Sequence, residues 1–380
     1  MPTATATAAK GFKENPLEFL DQRFPNSAGI VQTGPHEFCL GDPLVARAVL
    51  QNRAGHYEPH SDFFHTRRGM FGPRAVQLRI RREAYSFLRE YLSSSHRGTI
   101  VDHIKANLPQ VTQWPNTGNR LIYRYLATAL VTPSSPPNLR RVIDDLVERA
   151  VLVQPDDRSP TWLRVIARIR AVWTLLAAIK DRQAEQSNEP ADLLDVVARA
   201  LERGQRVEEL LEVFLSFVFA MAGSLGFVLA WALYLFGTNP ATDSEPEWVV
   251  REALRLGPVA WMLARRPAAG HQVGGTPVDP ADQVVVCPYL VHRNPNYWER
   301  PSAFVPRRWA APESRRNPAF IPFGYGPHRC VAAELSMELV QEFFREITEA
   351  NHVTVISHRS TPIVGAALAP PPFELILTPK

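Results

Sequence analysis

Apolar residues recur at helical spacing through the middle of the chain and as short runs toward both ends. From Val331 onward they fall at Leu335, Leu339, Phe343 and Ile347, with Val340 and Phe344 beside them, which is the stripe of a helix packed on a core. Similar patterns predict helices over residues 43–52, 76–93, 138–152, 160–184, 190–203 and 246–256, and strands at GIVQT, HEFCL, QVVVC and FELILT. Turn-rich breaks fall at NPNYWERP and AAPESRRNP, with no internal repeat and no long linker. Helices with a small segregated sheet predict an α+β, mostly α-helical fold, read as one domain over residues 13–380 after a disordered tail at 1–12.

Residues 213–236 carry no charge across 24 positions, which by length and composition qualifies as a membrane span. A helix that is apolar all round also describes the central helix of a large soluble domain. The segment stands alone in mid-chain between stretches of mixed soluble character, which favours a buried helix and no membrane anchor.

Composition narrows the function classes. The chain of 380 residues is 45% hydrophobic and 21% charged, ordinary for a globular protein with a large core. The net charge of +4 forms no basic stripe with interleaved aromatics, so no nucleic-acid partner is expected. Three cysteines cannot build a disulfide framework and suit a reducing compartment. Residues 1–27 lack the basic-then-apolar pattern of a signal peptide, and the expected location is cytoplasmic.

The chemistry concentrates in FGYGPHRCVAAEL, residues 323–335. Cys330 follows a turn made possible by Gly324 and Gly326 and precedes the helix stripe, where unpaired backbone N–H groups favour a thiolate. That stretch alone admits two readings, a soft metal ligand or a buried, inert cysteine.

Several separated motifs agree, however, and in their order and spacing the chain resembles the cytochrome P450 family of heme-thiolate oxygenases, in its soluble bacterial type. FGYGPHRC, with Phe323, Gly324, Gly326 and His328, is similar to the family's heme-binding loop, which implies Cys330 as the proximal iron ligand. REALRL matches the family's E-x-x-R helix through Glu252 and Arg255, and FVPRRW resembles the following meander, with Arg308 as third partner. ARRPAAGHQVGG resembles the strand carrying a propionate-binding arginine, here Arg265, and VHRNPNYWERPSAF the link between sheet and meander. The resemblance implies heme b (iron protoporphyrin IX) held between a distal and a proximal helix. His328 and Arg265 would neutralise its propionates, with Arg81 a further candidate. Cys39 and Cys287 lack the loop context and read as core or strand residues.

The departures from the family pattern carry information. Gln77 stands four residues before Arg81, where the family has a tryptophan or histidine. Aligning residues 230–235 with the distal helix puts Gly223 in place of the family's acid and Ser224 in place of its threonine, while a register shifted by two puts Leu225 and Gly226 there. Either way the acid that organises proton delivery is missing. Only 11 residues separate Pro240 from Glu252, Ala332 replaces a glycine after the cysteine, and Arg307 replaces an acid in the meander.

Three functions follow from this resemblance. The first is a monooxygenase acting on a lipophilic small molecule of natural-product (secondary) metabolism. It would be fed by an acidic ferredoxin-type donor steered to Arg307, Arg308, Arg315, Arg316 and Arg329, and would have an apolar distal pocket near Phe217, Met221 and Ser224. The second is a heme-thiolate enzyme of atypical chemistry, peroxide-driven or catalysing coupling, rearrangement or dehydration. The third, a non-catalytic relative, is disfavoured by the retained Cys330.

Overall fold

The computed structural model describes residues 10–24, 29–58, 74–94, 97–151, 161–185, 189–200, 207–239 and 244–380. Residues 1–9 of the expected tail lie outside the described residues, and residues 10–14 are helical. In chain order, the helices that position the functional residues are α1 (Pro43–Gln51), α2 (Arg74–Ser94), α3 (Asn116–Leu130), α4 (Val207–Phe219), α5 (Leu225–Thr238), α6 (Pro246–Leu256) and α7 (Ala333–Ala350). The strands are β1 (Ile30–Gly34), β2 (Glu37–Leu40), β3 (Val111–Trp114), β4 (Leu263–Arg265), β5 (His271–Val273), β6 (Thr276–Val278), β7 (Gln283–Val286), β8 (Asn351–Ile356) and β9 (Phe373–Pro379). The fold is α+β and mostly helical.

The chain divides into two compact units. The first comprises Met1–Met70, Trp231–Ala333 and Thr361–Pro370. Its sheet runs in the order β1-β2-β7-β4, with β2 and β7 parallel and the outer pairings antiparallel. Val284, Val285 and Val286 of the inner strand β7 are fully buried, the signature of a strand covered on both faces. The core beneath joins Leu40, Leu50, Val286, Trp298, Trp309 and Ile321. Helix α1 starts where it does because Asp42 accepts hydrogen bonds from the amides of Leu44 and Val45, both at 2.9 Å, with Pro43 pre-set for the first turn. It stops at Asn52, which takes the left-handed conformation at φ 48°.

The second unit comprises Phe71–Ala230, Glu334–Ser360 and Pro371–Lys380. It is a helical body with an antiparallel sheet in the order β3-β9-β8, in which Phe373, Leu375 and Leu377 of β9 alternate into the core.

The uncharged segment expected as one buried helix lies in a continuous helical run, Val207–Thr238, in which α4 and α5 are joined through a π-helical turn at Ala220–Ser224. Residues 207–238 are long and apolar enough to span a membrane, yet 61% of their most apolar stretch is buried within the protein. Other differences from the expected elements are local. The helix expected after Cys330 begins at Ala333, that expected over 138–152 ends at Leu146 in a π-helical turn, the strand expected to carry Arg265 is β4, and α3, β3, β5, β6 and β8 add to the expected set.

Candidate functional site

The cysteine loop lies in the first unit and is closed by its own backbone. The amide of Cys330 donates to the carbonyl of Phe323 at 2.9 Å, that of Arg329 to Gly326 at 3.1 Å, and that of Gly324 to Ile321 at 3.0 Å. Gly324 and Gly326 sit at φ 74° and 70°, where a side chain is strained. A Cβ on Gly326 would lie 2.9 Å from the carbonyl oxygen of Leu50 and from Cα of Gln51, so glycine also lets the loop pack on the end of α1. Of the two readings open for Cys330, burial belongs to the other cysteines: Cys330 is exposed, while Cys39 and Cys287 are buried. The thiol of Cys39 is pushed well up by its hydrogen bond with Cys287 and by burial, which keeps Cys39 protonated.

On β4, Arg265 is 5% exposed and donates Nη1 to the carbonyl of Ala264 at 2.8 Å. Burial lowers its pKa to about 10, so it stays charged at neutral pH, and no described carboxylate forms an ion pair with it. A buried guanidinium lacking an acidic partner is costly unless an anion completes it. This donor set therefore fits a ligand bearing a carboxylate, as a heme propionate does. His328 is half-buried in the short 3-10 turn Gly326–His328 of the same unit.

The same unit holds an ion-pair network centred on the fully buried Glu252 and Arg255. Glu252 and Arg255 share one face of α6 because they are three residues apart. Arg255 places Nε 2.9 Å from Oε2 of Glu252 and Nη2 2.8 Å from Oε1. Arg308 donates Nε to Oε1 at 3.1 Å, the amide of Val305 reaches the same oxygen at 3.0 Å, and the indole of Trp309 donates to Oε2 at 2.9 Å. The remaining guanidinium hydrogens of Arg255 go to the carbonyls of His292, Pro301 and Ala303. Five donors on one carboxylate make this a satisfied buried charge cluster rather than a solvated surface pair.

His292 and Trp309 had no expected role. His292 is fully buried and accepts the amide of Ile321 on Nε2 at 2.9 Å, which assigns the proton to Nδ1 for donation to the carbonyl of Arg255 at 3.1 Å. Burial, aided by the charge of Arg255, pushes its pKa down to about 3, so it stays neutral. It thereby ties α6 to the chain two residues before Phe323. The available signal was a lone histidine closing the apolar run VVVCPYLV.

In the second unit, the π-helical turn falls on the residues aligned with the distal motif. Such turns free backbone groups from the regular ladder and recur at functional sites. Ala220 is exposed and Phe217 and Ser224 are half-buried, forming one open stripe, whereas Met221 and Gly223 are buried. Gly226 is packed so closely on α3 that a Cβ there would lie 2.1 Å from Oδ1 of Asn119. In the alternative register the alcohol position would be this sealed glycine. Arg81 lies half-buried on α2.

The arginines of the expected donor face all belong to the first unit. Arg307, Arg315, Arg316 and Arg329 are exposed, and Arg308 is engaged on Glu252. Arg315 also pairs with Glu247 at 3.3 Å.

Residues 247–371 match the family model described as Cytochrome P450. The chain is similar to cyclooctatin synthase of Streptomyces melanosporofaciens, 26% identical over an alignment of 224 residues that covers 51% of this chain and 47% of that protein. It is also similar to cyclooctat-9-en-7-ol 5-monooxygenase of the same organism, 26% identical over 204 residues, 46% of this chain and 44% of that protein. The matched stretch thus spans less than half the length of either relative. Among solved structures, a retinoic-acid-bound cyanobacterial CYP120A1 superposes with a TM-score of 0.73 at 18% identity, covering 95% of this chain and 94% of the other.

Proposed function

We propose that this chain, which belongs to the cytochrome P450 family, is a heme b monooxygenase that oxidises a lipophilic small molecule. The observation that carries the reading is the presence, within one unit, of an exposed Cys330 in a glycine-hinged loop and a buried Arg265 that lacks an acidic partner among the described residues. Heme supplies the dioxygen-activating iron, with a thiolate ligand donating electron density that favours O–O cleavage.

The chain's own residues divide the remaining work. Cys330 supplies the thiolate, and the amides around the loop keep its negative charge stable. Arg265 and His328 hold the propionates, with Arg81 a further candidate. Phe323, Gly324 and Gly326 keep the loop close and dry. Glu252, Arg255 and Arg308 fix the meander that supports it, and their role is structural. Ser224 relays a proton on the distal helix, and Gly223 leaves the adjacent acid position without a carboxyl group. The exposed arginines at 307, 315, 316 and 329 suit an acidic ferredoxin-type electron donor.

A terpenoid alcohol is the favoured substrate class, within secondary metabolism. The stripe at Phe217, Ala220 and Ser224 is apolar apart from one hydroxyl, and one matched Streptomyces protein is named as a monooxygenase of cyclooctat-9-en-7-ol. The reading also takes the protein as cytoplasmic and residues 207–238 as a core helix rather than a membrane span, the latter supported by the burial of 61% of its most apolar stretch. The missing acid favours a second reading, peroxide-driven or otherwise atypical heme-thiolate chemistry. Turnover of a terpene-alcohol panel under ¹⁸O₂, with ferredoxin and reductant supplied, separates the two. One labelled oxygen per product supports the monooxygenase, and unlabelled product formed only with added peroxide overturns it.

A further inference from the structure

The first unit contains a second concavity that the heme reading leaves unused. It lies between α1, the residues just after it, the β5–β6 hairpin and Tyr325, and encloses about 590 Å³. That volume falls within the range of small-molecule sites. Its lining includes two arginines and two histidines, Arg47, Arg53, His56 and His271, and no aspartate or glutamate among the described residues.

The charged groups are arranged around flat surfaces. The guanidinium of Arg47 lies 4.6 Å from the ring centre of Tyr325, and its Nε is buried with no hydrogen-bond partner among the described residues. The rings of His56 and His271 lie 4.6 Å apart at 33°. His271 is held by Nδ1 donating to the carbonyl of Ala269 and by Nε2 facing the hydroxyl of Tyr57, both at 3.0 Å. Burial keeps Tyr57 a neutral phenol. Val45, Val49 and Val273 supply apolar surface. A cavity with one guanidinium over a flat ring, a second arginine, apolar walls and no carboxylate among the described residues is complementary to a planar body with an anionic head.

We propose that this cavity binds an anionic aromatic small molecule, a carboxylate or phosphate on a flat ring system, with Arg53 and His56 receiving the anionic group and Tyr325 and the valines the ring. Tyr325 belongs to the cysteine loop, and the other residues lining the site are distinct from those assigned to heme.

The test is isothermal titration of the heme-loaded protein, as expressed, with 2-naphthoate and with its neutral isostere 2-naphthamide. The variant is Arg53→Gln/His56→Gln, two exposed side chains whose replacement spares the core, and Arg359→Gln removes an exposed charge from the other unit as a control. The expected result is one-to-one binding of naphthoate, weakened at least about tenfold in the double variant and unchanged in the control, with the amide bound at least about tenfold more weakly by the parent. Absence of naphthoate binding, equal binding by the double variant, an equal loss in the control, or equal affinity for the amide would each overturn the proposal.

Discussion

Glu252 and Arg255 meet in a bidentate pair, with contacts of 2.9 and 2.8 Å and both side chains wholly shielded from solvent. Removing either member leaves an uncompensated charge in the interior, at a cost of roughly 3–5 kcal/mol. Glu252→Ala and Arg255→Ala should therefore lower the urea midpoint sharply and yield protein with little heme, whereas Arg251→Ala, which alters a partly exposed pair with Glu247, should change stability by under about 1 kcal/mol. Heme-to-protein ratios and unfolding curves check this; fully loaded, stable Glu252→Ala would contradict it.

His292 gives the network a pH dependence. Its pKa is about 3 in the folded chain and about 6.5 when unfolded. Protonation therefore favours the unfolded chain, so its contribution is fully present above about pH 6.5 and is lost progressively as pH falls toward 3. Between pH 6.5 and 5 the loss is roughly 2 kcal/mol. The measurement is the urea midpoint as a function of pH in the parent and in His292→Asn. The variant should be less stable at pH 7 and should show a flatter slope below pH 6.5.

Two glycines with the same φ separate backbone strain from packing. Gly55 and Gly326 both sit at 70°, but a Cβ on Gly55 meets nothing within 4 Å, while on Gly326 it meets the backbone of α1 at 2.9 Å. Gly55→Ala should cost about 1 kcal/mol. Gly326→Ala should cost a further ~1–3 kcal/mol of overpacking. Equal unfolding midpoints for the two variants would show that the loop does not rest on α1 as described.

The distal residues are tested by product formed per reductant consumed. Ser224→Ala should reduce that ratio severalfold and raise peroxide release, since general acid assistance is typically worth ~10²–10⁴ in rate. Gly223→Asp should raise it. A Ser224→Ala variant coupled as well as the parent, with Gly223→Asp worse, would favour the peroxide-driven reading.

Much of this was legible in the sequence where the signal is local. The apolar runs of β1, β2, β7 and β9 announced themselves, and the i, i+3 spacing of Glu252 and Arg255 put both on one helical face. Helix α3 escaped because its opening NTGN reads as a turn and its arginines and tyrosines interrupt the apolar stripe. Strand β8 owes its place to pairing with β9 and carries no fully buried side chain to mark it. The roles of Trp309 and His292 were hidden because their partners lie 57 and 29–37 residues away along the chain, and only the folded unit brings them together. The π-helical turn at Ala220–Ser224 has no propensity signature in the sequence.

The central claim is that Cys330 ligates heme iron, and the carbon monoxide difference spectrum of the reduced protein tests it most directly. The parent, Cys39→Ser and Cys287→Ser should all give the strongly red-shifted Soret band of thiolate ligation, and Cys330→Ser should lose it. A red-shifted band that persists in Cys330→Ser would contradict the account.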